Sequence, residues 1–250
     1  MAASDSLEVD GLEVELDRGR VRRVNLRVRP DGTVRLSAPT RVGDAELVRF
    51  VRAHRAWIDG CRARASWRAE AEEGRWRDGG KVELLDESLS LRVEACPEVR
   101  GVRVERGDGE LLVRLPAPRT DVPGGSGDPA WPPSGDELRQ LLLPWLEDEL
   151  RRAALPILER RQAEMGVRCS QLRVRWMSSR WGSCNVRTGT ITLNAELALR
   201  PAACLDAVVA HELCHLLEPN HGRRFHALMD RWCPEWPGAR ALLRDDPPVR

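Results

Sequence analysis

The sequence predicts an α+β protein: a β-rich N-terminal lobe of antiparallel hairpins, followed by a helical lobe that carries a small sheet. Three observations lead there. Through the first hundred residues apolar positions alternate with polar ones on both sides of Gly-containing turns, the period of strands with one buried face. Residues 116–135 hold six prolines and four glycines, the composition of a linker or long surface loop. Beyond Asp136 the apolar period lengthens to that of a helix. The expected divisions are a β-rich lobe over 1–115, a linker or insertion over 116–135, and a second lobe over 136–250.

The first hairpin reads as Val24–Arg29 and Val34–Leu36 about Pro30-Asp31-Gly32. Seven arginines against one aspartate between Arg18 and Arg35 give a local charge of +6, which a solvated sheet face explains without an anionic partner. From Asp44 to Ile58, the residues Leu47, Val48, Val51 and Ile58 share a helical face, with Asp44 placed as the N-cap. His54, in that helix, reads as a packing or surface residue. Strands are expected around 82–84, 89–93, 102–104 and 111–115, the last pair joined by Arg106-Gly107-Asp108-Gly109. Asp136–Met165 is helical but contains Pro144 and Pro156, so a kink or two shorter helices is expected before Gly166 closes the segment. No repeat of fixed period stands out.

Composition excludes several classes. At 42% hydrophobic and 32% charged residues the chain is built to fold, not to remain disordered. Forty basic and 39 acidic residues leave a net charge of +1, unlike a protein that coats nucleic acid. No apolar run approaches the roughly 18–20 residues that span a bilayer. Met1-Ala2-Ala3-Ser4-Asp5 lacks the basic start of a secretory leader. Seven cysteines, odd in number and with no CxxC pair, argue against zinc ribbons and disulfide frameworks, so a reducing cytoplasm is the expected location.

The chemistry concentrates in His211-Glu212-Leu213-Cys214-His215. On a helix, residues four apart share a face, so both imidazoles can reach one metal ion. Glu212 then addresses a water whose pKa zinc lowers to about 7. Four of the five histidines fall between 211 and 226. A catalytic zinc site needs a third protein ligand. His221 is the first choice, because Glu218-Pro219-Asn220 would end the helix and return the chain to the ion; His226 and Glu218 are the alternatives. Upstream, Thr190–Asn194 alternates like a strand and would suit pairing with an extended substrate backbone if it lay at an edge. Arg180, Gly182 and Asn194 are candidate substrate-binding positions: Gly182 permits close backbone approach, and Arg180 or a nearby amide can face an oxyanion. Cys184 and Cys214 read as structural thiols.

Trp181-Gly182-Ser183-Cys184, Leu193-Asn194, the His211–His215 segment and Asn220-His221-Gly222-Arg223-Arg224-Phe225 together resemble the YgjP-like metallopeptidase family. Around the metal site that family is similar to SprT-like and other zincin proteases. The resemblance extends back to Arg27–Gly32 and Phe50–Ile58, covering about residues 20–236. It implies a zincin-like second lobe, zinc on His211, His215 and His221, and Glu212 as general base. His226 departs from the family pattern, standing where a tryptophan is usual, and 116–135 looks like an insertion.

The leading expectation is therefore a zinc-dependent hydrolase, a metallopeptidase acting on peptides or proteins, with oligomeric state left open. One alternative keeps the metal but hydrolyses nucleotide phosphoanhydrides, since Arg151–Arg187 carries nine arginines against two glutamates, net +7. Another is a SprT-like protease recruited to nucleic acid through those same arginines.

Overall fold

The computed structural model describes residues 5–29, 31–117 and 131–245. The chain divides into two compact units, residues 1–73 and 74–250. In the first, β1 (Asp5–Val9), β2 (Leu12–Gly19), β3 (Asn25–Val28) and β4 (Val34–Pro39) form a sheet of order β1-β2-β4-β3. Each hairpin is antiparallel, as the alternation predicts. The two hairpins meet through parallel β2 and β4, an arrangement that alternation within a strand cannot reveal. Val14, Leu16, Val34, Leu36 and Ala38 are buried in one core with Leu47, Val51 and Ile58.

The helix expected over 44–58 is two, α1 (Asp44–Ala53) and α2 (Arg55–Arg75), separated at His54. Gly43, not Asp44, is the N-cap. Asp44 lies instead in the first turn, where its charge suits the helix dipole, and it receives the Arg18 guanidinium. Arg29 and Arg35 pair with Glu15 and Asp17 at 3.2 and 3.0 Å, so part of the basic hairpin stretch is balanced within its own sheet.

The second unit begins with the same β arrangement. β5 (Lys81–Leu84), β6 (Glu87–Ala95), β7 (Arg103–Arg106) and β8 (Glu110–Leu115) have the order β5-β6-β8-β7, two antiparallel hairpins joined by parallel β6 and β8. These strands were expected to share a lobe with residues 1–73, but the structure groups them with the C-terminal helices. The turn between β5 and β6 explains why. Leu85 donates its N–H to the Ala198 carbonyl at 2.8 Å, and the Asp86 carboxylate accepts from the Ala202 N–H at 3.1 Å. Arg106 of β7 also reaches Glu149 at 3.2 Å. Most of the expected linker, residues 118–130, lies outside the described residues.

A single helix, α3 (Gly135–Met165), follows, with a capping box between Ser134 and Glu137 and a left-handed Gly166 at its end. It runs through both prolines, where a kink or break was expected. Pro144 and Pro156 are exposed, and so are Gln140 and Arg152, whose carbonyls lose their helical donors to water. The opposite face buries Leu138, Leu142, Leu146, Leu150 and Leu158. At roughly 1.5–3 kcal/mol per buried leucine, that face outweighs about 3 kcal/mol per interior proline.

Next come β9 (Gln171–Arg175), β10 (Gly182–Asn185) and β11 (Thr190–Asn194), in the order β10-β11-β9. A short 3-10 turn (Ala195–Leu199) leads into α4 (Ala202–Leu217), then α5 (Arg223–Trp232) and α6 (Trp236–Asp245).

Candidate metal centre

The residues of α4 bury on most sides: Cys204, Leu205, Val208, Val209, Leu213 and Cys214 all lie in the core. Pro201 cannot cap the helix with a side chain, and Asp86 from the β5–β6 turn satisfies the first amide instead. His211 and His215, one turn apart, stand on the same face with ring centroids 4.9 Å apart. The helix ends at Glu218, whose N–H bonds to Cys214 O at 2.8 Å. Its carbonyl lies 3.3 Å from His215 Nδ1. Donation from Nδ1–H to that carbonyl leaves Nε2 of His215 unprotonated and free to ligate.

The chain then turns back, as expected, and brings His221 Nε2 within 3.0 Å of His211 Nε2. One nitrogen from each of His211, His215 and His221 lies within 4.8 Å of the others. Nitrogens bound to one tetrahedral zinc at 2.0–2.1 Å stand about 3.3 Å apart, so small ring rotations suffice. Buried Phe225 of α5 backs all three rings, with centroids at 4.7–4.8 Å.

Electrostatics favour the same donor set. Burial, then the neighbouring imidazoles and the Arg240 charge, pushes His211 down to about 4. Burial also holds His215 below the usual histidine range. Neutral imidazoles are what a cation requires. Glu212 is 4% exposed. Burial raises its carboxyl to about 8, against the opposing pull of Arg180. A cation seated among the three rings would offset that desolvation, so the residues present fit a divalent metal.

Gly182 proves essential to this packing. A Cβ built on it would lie 2.5 Å from Glu212 Oε1, so only glycine lets β10 pass against the carboxylate. The close approach anticipated at Gly182 is therefore made by Glu212. The structure places Arg180 and Gly182 on the wall of a cavity of about 830 Å³, together with the three histidines and Glu212. Asn194 takes a different part from the substrate contact expected of it. It is fully buried, and its amide bonds to Met177 N and to the Met177 and Arg180 carbonyls, at 2.7–3.2 Å. It shapes the loop that presents Arg180. The Thr190–Asn194 strand, β11, is central and paired on both sides, so the edge beside the site is β10.

His226 stacks near Trp236, with centroids 6.1 Å apart, and stands outside the donor cluster. The Glu218 side chain turns to the Asn220 N–H and Arg224. Burial raises the Cys184 thiol to about 11, and the nearby Glu212 charge adds to this, unlike an activated nucleophile. Cys214 is fully buried, as expected. His54 lies between α1 and α2, with its ring bonded to Phe50 O at 2.8 Å and its carbonyl accepting from Ile58 N–H at 3.0 Å. Sequence reasoning missed α6, which contributes Trp236, Arg240, Leu243 and Arg244 to the cavity. Trp181 Nε1 donates to Leu243 O at 3.2 Å, tying that helix to the segment before β10. The i,i+4 pair Arg240 and Arg244 after Trp236 was the available signal.

An α+β framework that delivers such a donor set and a buried carboxylate to an open cavity is that of a metal-dependent hydrolase. The chain belongs to the YgjP-like metallopeptidase domain family, whose model matches residues 22–120 and 132–246. It is accordingly a metal-dependent peptidase at the level of that family, which implies a divalent metal and peptide or protein substrates. No curated protein matches the sequence. Among solved structures, the metallopeptidase zymogen of Pyrococcus abyssi abylysin is similar at a TM-score of 0.35 and 18% identity, over 38% of this chain and 97% of that one. The metallopeptidase zymogen of Methanocaldococcus jannaschii jannalysin gives 0.34 and 18%, over 37% and 94%. A likeness at that level is too slight to bear on function. Among the described residues, no helix is long and apolar enough to cross a membrane.

Proposed function

We propose that the chain is a zinc peptidase in which His211, His215 and His221 hold the ion and Glu212 is the general base. The observation that carries this reading is the convergence of three imidazole donors beside a buried carboxylate at one cavity. Zinc bound there would polarise the scissile carbonyl and make a water acidic enough to lose its proton near neutral pH.

The protein's own groups do the rest. Glu212 takes the proton of the attacking water and delivers it to the leaving amine nitrogen. Gly182, lacking a Cβ, leaves the space beside β10 that this carboxylate occupies. The unpaired side of β10 aligns an extended substrate by strand addition, the part first expected of β11. Phe225 backs the three imidazole rings and limits their movement.

Of the nine arginines that gave residues 151–187 their positive charge, Arg152 pairs with Glu149, and Arg160 and Arg161 pair with Asp206, so these three brace helices and offer little charge to a phosphate.

The test is Glu212→Gln in zinc-loaded protein assayed on a denatured protein substrate. The metal stays bound at one equivalent while turnover falls by roughly 10³-fold or more, the scale of a lost general base with its transition-state contacts. Unchanged turnover would remove the mechanism.

A further inference from the structure

The catalytic cavity has a one-sided charge. Besides Glu212, its lining contains no carboxylate among the described residues, yet it contains three arginines: Arg180 ahead of β10, and Arg240 and Arg244 on α6. Arg240 and Arg244 are four apart and so share one helix face. The bond from Trp181 Nε1 to Leu243 O holds α6 against the segment that carries Arg180, so both sources of charge are fixed to the same rim.

Arg180 and Arg240 line the same cavity as Glu212 and the three histidines. Neither makes a carboxylate ion pair among the described residues, in contrast to Arg152, Arg160 and Arg161 elsewhere in the unit. Arg240 instead lies 5.2 Å over the Trp236 ring, which pre-orients the guanidinium beside the cavity.

A wall of this kind attracts anions and makes a lysine or arginine side chain unwelcome. Resting on the peptidase reading above, we infer that the site selects peptides with an aspartate or glutamate flanking the scissile bond, its carboxylate received by Arg240 and Arg180. A carboxylate and a guanidinium pair through two parallel hydrogen bonds, so the contact sets register along β10 as well as affinity.

The experiment is cleavage of a proteome-derived peptide library by the full zinc-loaded chain, with cut sites mapped by mass spectrometry. Matched acidic and neutral peptides are then assayed against wild type, Arg240→Gln, Arg240→Glu and Arg180→Gln. Wild type should enrich Asp and Glu within two or three residues of the cut and prefer the acidic peptide by roughly tenfold or more in kcat/KM, the scale of a charge-assisted hydrogen bond. In Arg240→Gln the acidic-to-neutral ratio should collapse towards one, and in Arg240→Glu it should invert. A merely structural defect lowers both peptides alike and leaves the ratio intact, which would overturn the assignment of Arg240. Cleavage without acidic enrichment overturns the inference and leaves the peptidase reading standing. If no peptide is cut while a nucleoside triphosphate is consumed, both fall.

Discussion

The two four-stranded sheets share one strand order and one pattern of pairing, yet only the second is joined to chemistry. The difference lies in a turn. In the first sheet, Asp10 in the β1–β2 turn receives Arg52 of α1 at 2.8–2.9 Å, and the hairpin closes on its own helix. In the second, Asp86 in the β5–β6 turn caps α4, the helix that carries His211 and His215. Both turns place a non-glycine residue in the left-handed region, Asp10 at φ 50° and Leu85 at φ 55°. One architecture thus serves once as a self-contained packing unit and once as a mount for a metal helix.

The largest expected effect that would break this contrast concerns glycines. Gly182→Ala puts a methyl into Glu212, and displacing the proposed general base by about 1 Å should cost roughly 10²-fold in turnover. Gly11→Ala, in the β1–β2 turn at φ 75°, meets no neighbouring atom. It should cost about 1–2 kcal/mol of stability through backbone strain and leave turnover per folded molecule unchanged. Peptidase assays and thermal melts on both variants check this, and equal losses of turnover would erase the distinction.

The next effect is in pH, measured on chelated, metal-free protein. The folded-state carboxyl of Glu212 is raised to about 8, so the native state holds the proton more tightly than the unfolded chain does. Stability is then fully present below the ordinary carboxylate range and is lost as pH rises towards 8. His211, lowered to about 4, acts oppositely, its contribution being lost as pH falls from 6.5 towards 4. Above pH 6.5 most of the His211 and His215 contributions are already in place, so Glu212 dominates and about 1–2 kcal/mol should disappear between pH 6.5 and 8. Urea titrations across that range should show the decline in wild type and no decline in Glu212→Gln. A parallel decline in both proteins would assign it elsewhere.

The smallest effect sharpens the comparison most. Asp86→Ala removes a helix cap and should cost about 1 kcal/mol, with a measurable loss of metal affinity because α4 carries two of the proposed ligands. Asp10→Ala removes an exposed, solvent-screened ion pair, so it should cost less stability than Asp86→Ala and leave metal affinity alone. Competition titrations with a zinc chelator separate the two. If Asp10→Ala weakened metal binding as much as Asp86→Ala, the division of labour would be wrong.

These contrasts also show what the sequence could convey. The hairpins, the helical face after Asp44, the Gly166 stop and the histidine cluster all rest on local spacing, and local spacing survives folding. The grouping of residues 81–115 with the C-terminal unit rests on Leu85, Asp86 and Arg106 meeting partners 40 or more residues away, which periodicity does not encode. The repeated sheet was invisible because its two copies share a burial pattern, not residue identities or a constant spacing. Pro144 and Pro156 misled because the rule about prolines is local, while the leucine face that overrides it is tertiary. At the site, the convergence of His211, His215 and His221 beside Glu212 was legible from spacing and loop direction. Asn194 was assigned to substrate because polarity was visible and burial was not. The α6 wall was missed because its one mark, Arg240 and Arg244 four apart after Trp236, names no chemistry by itself.

The central claim is most directly tested by metal analysis of the purified full chain. Wild type and His226→Ala should each carry one zinc per chain, while His221→Ala should lose at least most of it. Zinc retained in His221→Ala, or lost in His226→Ala, would contradict the three-histidine centre on which the account stands.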